Sequence, residues 1–173
     1  VKQGNVFDDE AFKRGTSVYF PTSVLPMLPR GLSNGICSLN EGVERLTLSC
    51  IMKVDFSGKV VDYKICESVI KSVARLTYKE VYQALTGGEL NEKTKKLQKD
   101  FFLMRELCDI LESNTQKRGA LDLDIPEVQF VFDANGMAVD LTRRERNEAH
   151  RLIEDFMVLA NETVAKHFSK LKI

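Results

Sequence analysis

The sequence predicts an α+β fold of antiparallel hairpins interleaved with helices, and three observations carry that reading. From Glu44 to Val54 the residues alternate at period 2, the mark of a strand, and Val60–Val69 returns as a second strand after an Asp-Phe-Ser-Gly turn at 55–58. Leu97, Phe101, Met104, Cys108 and Leu111 recur at spacings of three and four, the period of one helix face. Asn135-Gly136 separates EVQFVFD at 127–133 from an extended return over 137–141, a strong hairpin signal.

The remaining elements follow in order. Asp8 and Asp9 suit the first turn of a short helix that stops near Arg14-Gly15. Residues 16–20 read as extended, and three prolines in 21–35 forbid a regular helix there. In the first strand, Leu46, Leu48, Cys50, Met52 and Val54 are expected on one face, with Thr47, Ser49, Ile51 and Lys53 on the other. Thr77-Tyr78-Lys79-Glu80 has the form of a capping box opening a helix through Leu85, which Gly87-Gly88 stops. A longer helix spans about Asn91 to Glu112. A second capping-box pattern, Thr142-Arg143-Arg144-Glu145, predicts a last helix over roughly 143–168. Its core face is Ala149, Leu152, Ile153, Phe156, Ala160, Val164 and Phe168.

A chain of 173 residues can bury one sizeable core, and 43% hydrophobic with 29% charged residues is ordinary for a globular domain. The formal net charge is zero, which excludes the strongly basic footprint of many nucleic-acid binders. No apolar run reaches the length of a membrane span. Cys37, Cys50, Cys66 and Cys108 form no CxxC pair, so a zinc site is not indicated. They read as reduced, mostly buried thiols of a cytoplasmic protein.

Several polar groups invite a functional reading. Asp8-Asp9-Glu10 resembles a metal cluster, but helix-start carboxylates explain it. Asp122 and Asp124 alternate on an extended segment and read as solvent-facing; His150 and His167 are too isolated to indicate catalysis. Lys93, Lys95, Lys96 and Lys99 read as a solvated helix face. Asn147, His150, Glu154 and Asn161 fall on one polar stripe of the last helix, which either lines a cavity or faces water.

Three stretches together are specific: RGTSVYFPTSVLPMLPRGLSNGICSLN at 14–40, ARLTYKEV at 74–81 and RRERNEAHRLIEDFMVLANE at 143–162. In content, order and spacing they resemble the catalytic domain of the ribonuclease R/ribonuclease II exoribonucleases. RGALDLDIPE at 118–127 resembles the bacterial ribonuclease R branch. The resemblance implies part of a single ribonuclease II-type catalytic domain over 1–173. The enzyme would remove nucleotides one at a time from the 3′ end of single-stranded RNA and release 5′-monophosphates. It would use Mg²⁺ held by an aspartate cluster, with an arginine-containing motif nearby. Both motifs are expected outside these residues, one before Val1 and one after Ile173. No catalytic residue or metal ligand is therefore expected here, and the 173 residues alone are expected to be inactive. Alone they are also expected to be marginally stable or prone to aggregate. No protein partner is indicated.

Residue by residue, the resemblance assigns Tyr19 to stacking on the terminal nucleotide, and Tyr78 and Glu154 to contacts with the final nucleotides, including the ribose. A 2′-OH both donates and accepts, and that separates RNA from DNA. Leu123 stands where the family often has an aromatic residue, so the base clamp would lose one π-face. Arg143, Arg144, Arg146 and Arg151 are candidates for phosphate contacts, set against intrahelical pairs with Glu145 and Glu148. A non-catalytic, RNA-binding or regulatory member of the same family is the second reading.

Overall fold

A computed structural model describes residues 1–120, 128–143 and 146–172. Among these described residues, four α-helices, six strands and one π-helical turn follow in the order α1 (Val6–Arg14), β1 (Val18–Tyr19), β2 (Val24–Leu25), the π turn (Gly31–Ile36), β3 (Glu44–Val54), β4 (Val60–Lys71), α2 (Tyr78–Thr86), α3 (Glu92–Lys117), β5 (Val128–Phe132), β6 (Ala138–Arg143) and α4 (Glu148–Leu171). The strands form three two-stranded sheets, β1–β2, β3–β4 and β5–β6. This is the expected α+β pattern of hairpins alternating with helices.

The chain divides into two compact units. The first comprises Val1–Arg45, Ile70–Val73 and Pro126–Arg144. Its helix α1 is capped by Asn5, whose side chain accepts the Asp8 amide, and it ends on left-handed Gly15. Asp8 also accepts the Gly4 amide at 2.7 Å, a helix-start role for the carboxylate. In the β1–β2 hairpin Tyr19 pairs with Val24, and the Phe20 amide donates to Ser23 O at 2.8 Å. All three prolines of 21–35 precede the π turn, so Gly31–Ile36 is helical where an irregular segment was expected; the Cys37 amide closes it onto Leu32 O at 2.9 Å. In the β5–β6 hairpin Asp133 Oδ1 accepts the amides of Asn135 and Met137, at 2.9 and 2.8 Å. A bulge lies between Val131 and Phe132.

The second unit comprises Leu46–Val69, Ala74–Ile125 and Glu145–Ile173. Its core is a helical sandwich: Ala84 and Leu85 from α2, Phe101 and Cys108 from α3, and Leu152 from α4 are buried together. Leu76, Val81, Leu97, Met104 and Phe156 pack against them. Thr77 caps α2 through a capping box with Glu80, as expected. The amide and hydroxyl of Thr77 hold the Glu80 carboxyl below its usual range. Asn91 caps α3 with Thr94, and the helix runs five residues past Glu112, to Lys117.

Four expectations are corrected. The last helix does not start at 143: β6 continues to Arg143, whose register partner is Val128, and Asn147 is the N-cap of α4. A backbone already committed to a strand ladder leaves the cap to the next suitable residue. On α4, Ala149 and Leu152 are buried, whereas Ile153 and Phe168 are exposed. The buried stripe runs through Thr163 instead. In β3, Leu46 and Leu48 are 87% and 81% exposed, while Thr47 and Ser49 are half-buried. Their hydroxyls meet Ser68 of β4 at 2.8 and 2.6 Å, which draws the polar face inward at this end of the hairpin. Finally, Cys108 alone of the four cysteines is buried; Cys37 is exposed and Cys50 and Cys66 are intermediate.

Candidate functional site

Tyr78 and Glu154 both belong to the second unit. Tyr78 is the first residue of α2, immediately after its cap. It forms part of the wall of a hollow of about 490 Å³ that Phe101 and Met104 of α3 and Leu152 and Ile153 of α4 also line. Its ring stacks on the His150 imidazole, with centroids 3.9 Å apart and planes 19° from parallel. His150 lies in the first turn of α4. Glu154 follows four residues later, so the two side chains share one helix face. Glu154 carries an ion pair of its own: Arg146 Nη2 donates to Oε2 at 2.7 Å. Tyr78, His150, Glu154 and Arg146 thus form one aromatic and charged patch where α2 meets the start of α4.

The polar stripe of α4 separates into different roles. Asn147 is the cap, His150 supports Tyr78, Glu154 is exposed and paired, and Asn161 is exposed. Neither histidine is isolated, because each meets a tyrosine. His167 Nδ1 lies 3.3 Å from the Tyr63 hydroxyl, with the two rings edge to face. Of the described arginines, Arg146 and Arg151 each meet a carboxylate. Arg143 is on β6, and Arg151 reaches Glu112 of α3 at 3.7 Å. Glu148, the expected intrahelical partner, is taken by Arg105 of α3. Arg144, Glu145, Asp122, Leu123 and Asp124 lie outside the described residues.

Tyr19 belongs to the first unit. It is 78% exposed on the β1–β2 hairpin, with its ring available to an external aromatic face. The lysines Lys93, Lys95, Lys96 and Lys99 are exposed, as expected of a solvated helix face.

Among the described residues, one group of potential metal ligands comes together: Cys108, Glu112 and Asp155, between α3 and α4. It does not suit Mg²⁺, a hard cation that takes oxygen ligands in octahedral geometry. Cys108 is buried and donates to Asp155 Oδ2 at 2.9 Å; burial, then that carboxylate, pushes its thiol far above the usual range. A protonated thiol is not a ligand. Glu112 is in turn paired with Arg151.

Sequence reasoning named His150 and Arg146 but missed what these two members of the patch do there. His150 gains its role only from a ring 72 positions earlier, and Arg146 from a helix start misplaced by one turn. Asn147 was the available signal, a strong cap residue directly before an apolar-periodic run.

The full 173 residues match the family model for the RNB domain. Ribonuclease R of Thermotoga maritima is 47% identical over 169 residues, which is 97% of this chain and 24% of that protein. Ribonuclease R 1 of Lactococcus lactis is 44% identical over 169 residues, 97% of this chain and 21% of that one. The structure of Mycoplasma genitalium RNase R in complex with ribose-methylated single-stranded RNA superposes with a TM-score of 0.91 at 33% identity. It covers 100% of this chain, which spans 27% of that one. The chain thus corresponds to about a quarter of the length of these relatives. By its sequence along its whole length, and by its fold, it belongs to the RNB domain family.

Proposed function

We propose that this chain is part of the single catalytic domain of a 3′→5′ exoribonuclease that hydrolyses single-stranded RNA processively to nucleoside 5′-monophosphates. The carrying observation is identity of 44–47% to proteins named Ribonuclease R over 97% of the chain. In this reading the segment supplies part of the wall around the RNA 3′ end. The exposed face of Tyr19 stacks on a terminal base, a contact worth about 1–3 kcal/mol in comparable sites. The Tyr78 hydroxyl and the Glu154 carboxylate bond the ribose 2′-OH, one able to donate and the other to accept. Arg146 supports this by fixing one oxygen of Glu154 and leaving the other to a ligand. Leu123 is assigned an apolar contact with the same base.

The chemistry itself is assigned to Mg²⁺ held by aspartates outside these residues, and the setting to the cytoplasm. No described helix is long and apolar enough to cross a membrane.

The test is a 5′-labelled oligoribonucleotide incubated with Mg²⁺ and the full-length protein that contains this chain. Shortening from the 3′ end with release of 5′-monophosphates is expected, and the 173 residues alone should release none. Tight RNA binding by the full-length protein without any product would replace this reading with a non-catalytic RNA-binding one.

A further inference from the structure

Tyr78 sits at a helix start, where a ring has several rotamers open to it unless something restrains it. Here the restraint is His150. The two rings stack nearly parallel at 3.9 Å, closer than any other ring pair among the described residues. His150 is itself locked. Its Nδ1 lies 2.8 Å from Asn147 Oδ1, the atom that also accepts the Ala149 amide at 3.1 Å as it caps α4. The Asn147 backbone amide also lies 3.3 Å from Nδ1, so the amide and the side chain of the cap residue both hold this ring nitrogen. Cap, imidazole and phenol form a chain of fixed orientation, ending at the residue assigned to the ribose.

We propose that His150 is a positioning residue: it sets the plane of the Tyr78 ring, and through it the discrimination between a ribose and a deoxyribose at the RNA 3′ end. The proposal rests on the reading of Tyr78 as a contact to the final nucleotides. Glu154 shares the helix face of His150, so α4 carries one group that would meet the 2′-OH, Glu154, and the ring that braces the other, Tyr78.

The experiment uses the full-length enzyme on an oligoribonucleotide and on the same oligonucleotide with 2′-deoxy residues at its 3′ end. The readout is the ratio of kcat/KM on the two substrates, which does not depend on the fraction of enzyme that is folded. Four variants are compared: His150→Ala, His150→Phe, Tyr78→Ala, and the double His150→Ala/Tyr78→Ala.

His150→Ala should lower the ratio about three- to tenfold, the worth of an aromatic stack. The loss should fall on kcat, because remote RNA contacts set KM. His150→Phe, which keeps a flat ring but no ring nitrogen, should recover most of it. In the Tyr78→Ala background, removing His150 should change the ratio by less than about twofold, since contacting residues on one path are not additive. An unchanged ratio in His150→Ala, or equal losses in both backgrounds, would overturn the positioning role alone. An unchanged ratio in Tyr78→Ala would overturn the ribose contact as well.

Discussion

Cys108 Sγ of α3 lies 2.9 Å from Asp155 Oδ2 of α4 and donates a hydrogen bond to it. The thiol keeps its proton in the folded state because burial and then the carboxylate raise its pKa. In the unfolded chain it titrates near about 8.5. Above that pH the folded state binds more protons than the unfolded one, so stability falls as pH rises. Denaturation of the protein between about pH 8.5 and 10.5 should show a loss of up to about 1.4 kcal/mol per pH unit that Cys108→Ser lessens, since serine keeps the donor without titrating. Equal alkaline slopes would show that Cys108 does not carry the effect. The same variant should retain the Mg²⁺ dependence of RNA hydrolysis, because this group does not suit that ion.

Thr77 caps the helix that begins with Tyr78, and its hydroxyl oxygen accepts the Glu80 amide at 3.3 Å. Thr77→Ala should cost about 1 kcal/mol in urea denaturation. The Glu80 carboxyl is held low by the Thr77 amide and hydroxyl. Its contribution is present above the ordinary glutamate range and is lost as pH falls through the depressed value. The cost of Thr77→Ala should therefore shrink in acid; a cost that grows below pH 4 would contradict this linkage.

Gly58 and Gly136 both have φ +79° in hairpin turns, yet only one is enclosed. A Cβ at Gly58 would lie 2.8 Å from both Asn114 Nδ2 and Ile110 Cγ2; at Gly136 nothing lies within 4 Å. Gly136→Ala should cost about 1 kcal/mol for the left-handed backbone alone. Gly58→Ala adds overpacking and should cost roughly 2–4 kcal/mol. Similar thermal shifts for the two variants would refute the enclosure of Gly58.

Many large apolar side chains face outward: Phe12, Leu46, Leu48, Phe56 and Val73 are each 80–99% exposed. Exposed apolar surface on this scale favours association. The 173 residues on their own should elute as aggregates or melt over a broad range. A sharp, reversible melt of a monomer would count against it.

The hairpins and α3 are legible in the sequence because their signals are local. Alternation, an Asn-Gly pair and a three-four apolar spacing need no distant partner. The start of α4 is not. Thr142-Arg143-Arg144-Glu145 has the letters of a capping box, but the ladder with β5 claims Thr142 and Arg143 first. The inversion at Leu46 and Leu48 is hidden for a similar reason: it depends on hydroxyls of Thr47 and Ser49 meeting Ser68 across the sheet. Of the site, Tyr78 and Glu154 are legible only through resemblance, since a tyrosine in a first helical turn and a glutamate on a helix are common in any domain. That Tyr78 and the helix face of Glu154 are joined by His150 is a tertiary fact.

Asn147 both begins α4 and grips the imidazole that braces Tyr78. Winding that helix and aligning the ring are thus one event. A change that merely delayed the first turn of α4 would free one small buried side chain, Ala149, yet disarm the whole patch, so function here is lost more readily than fold.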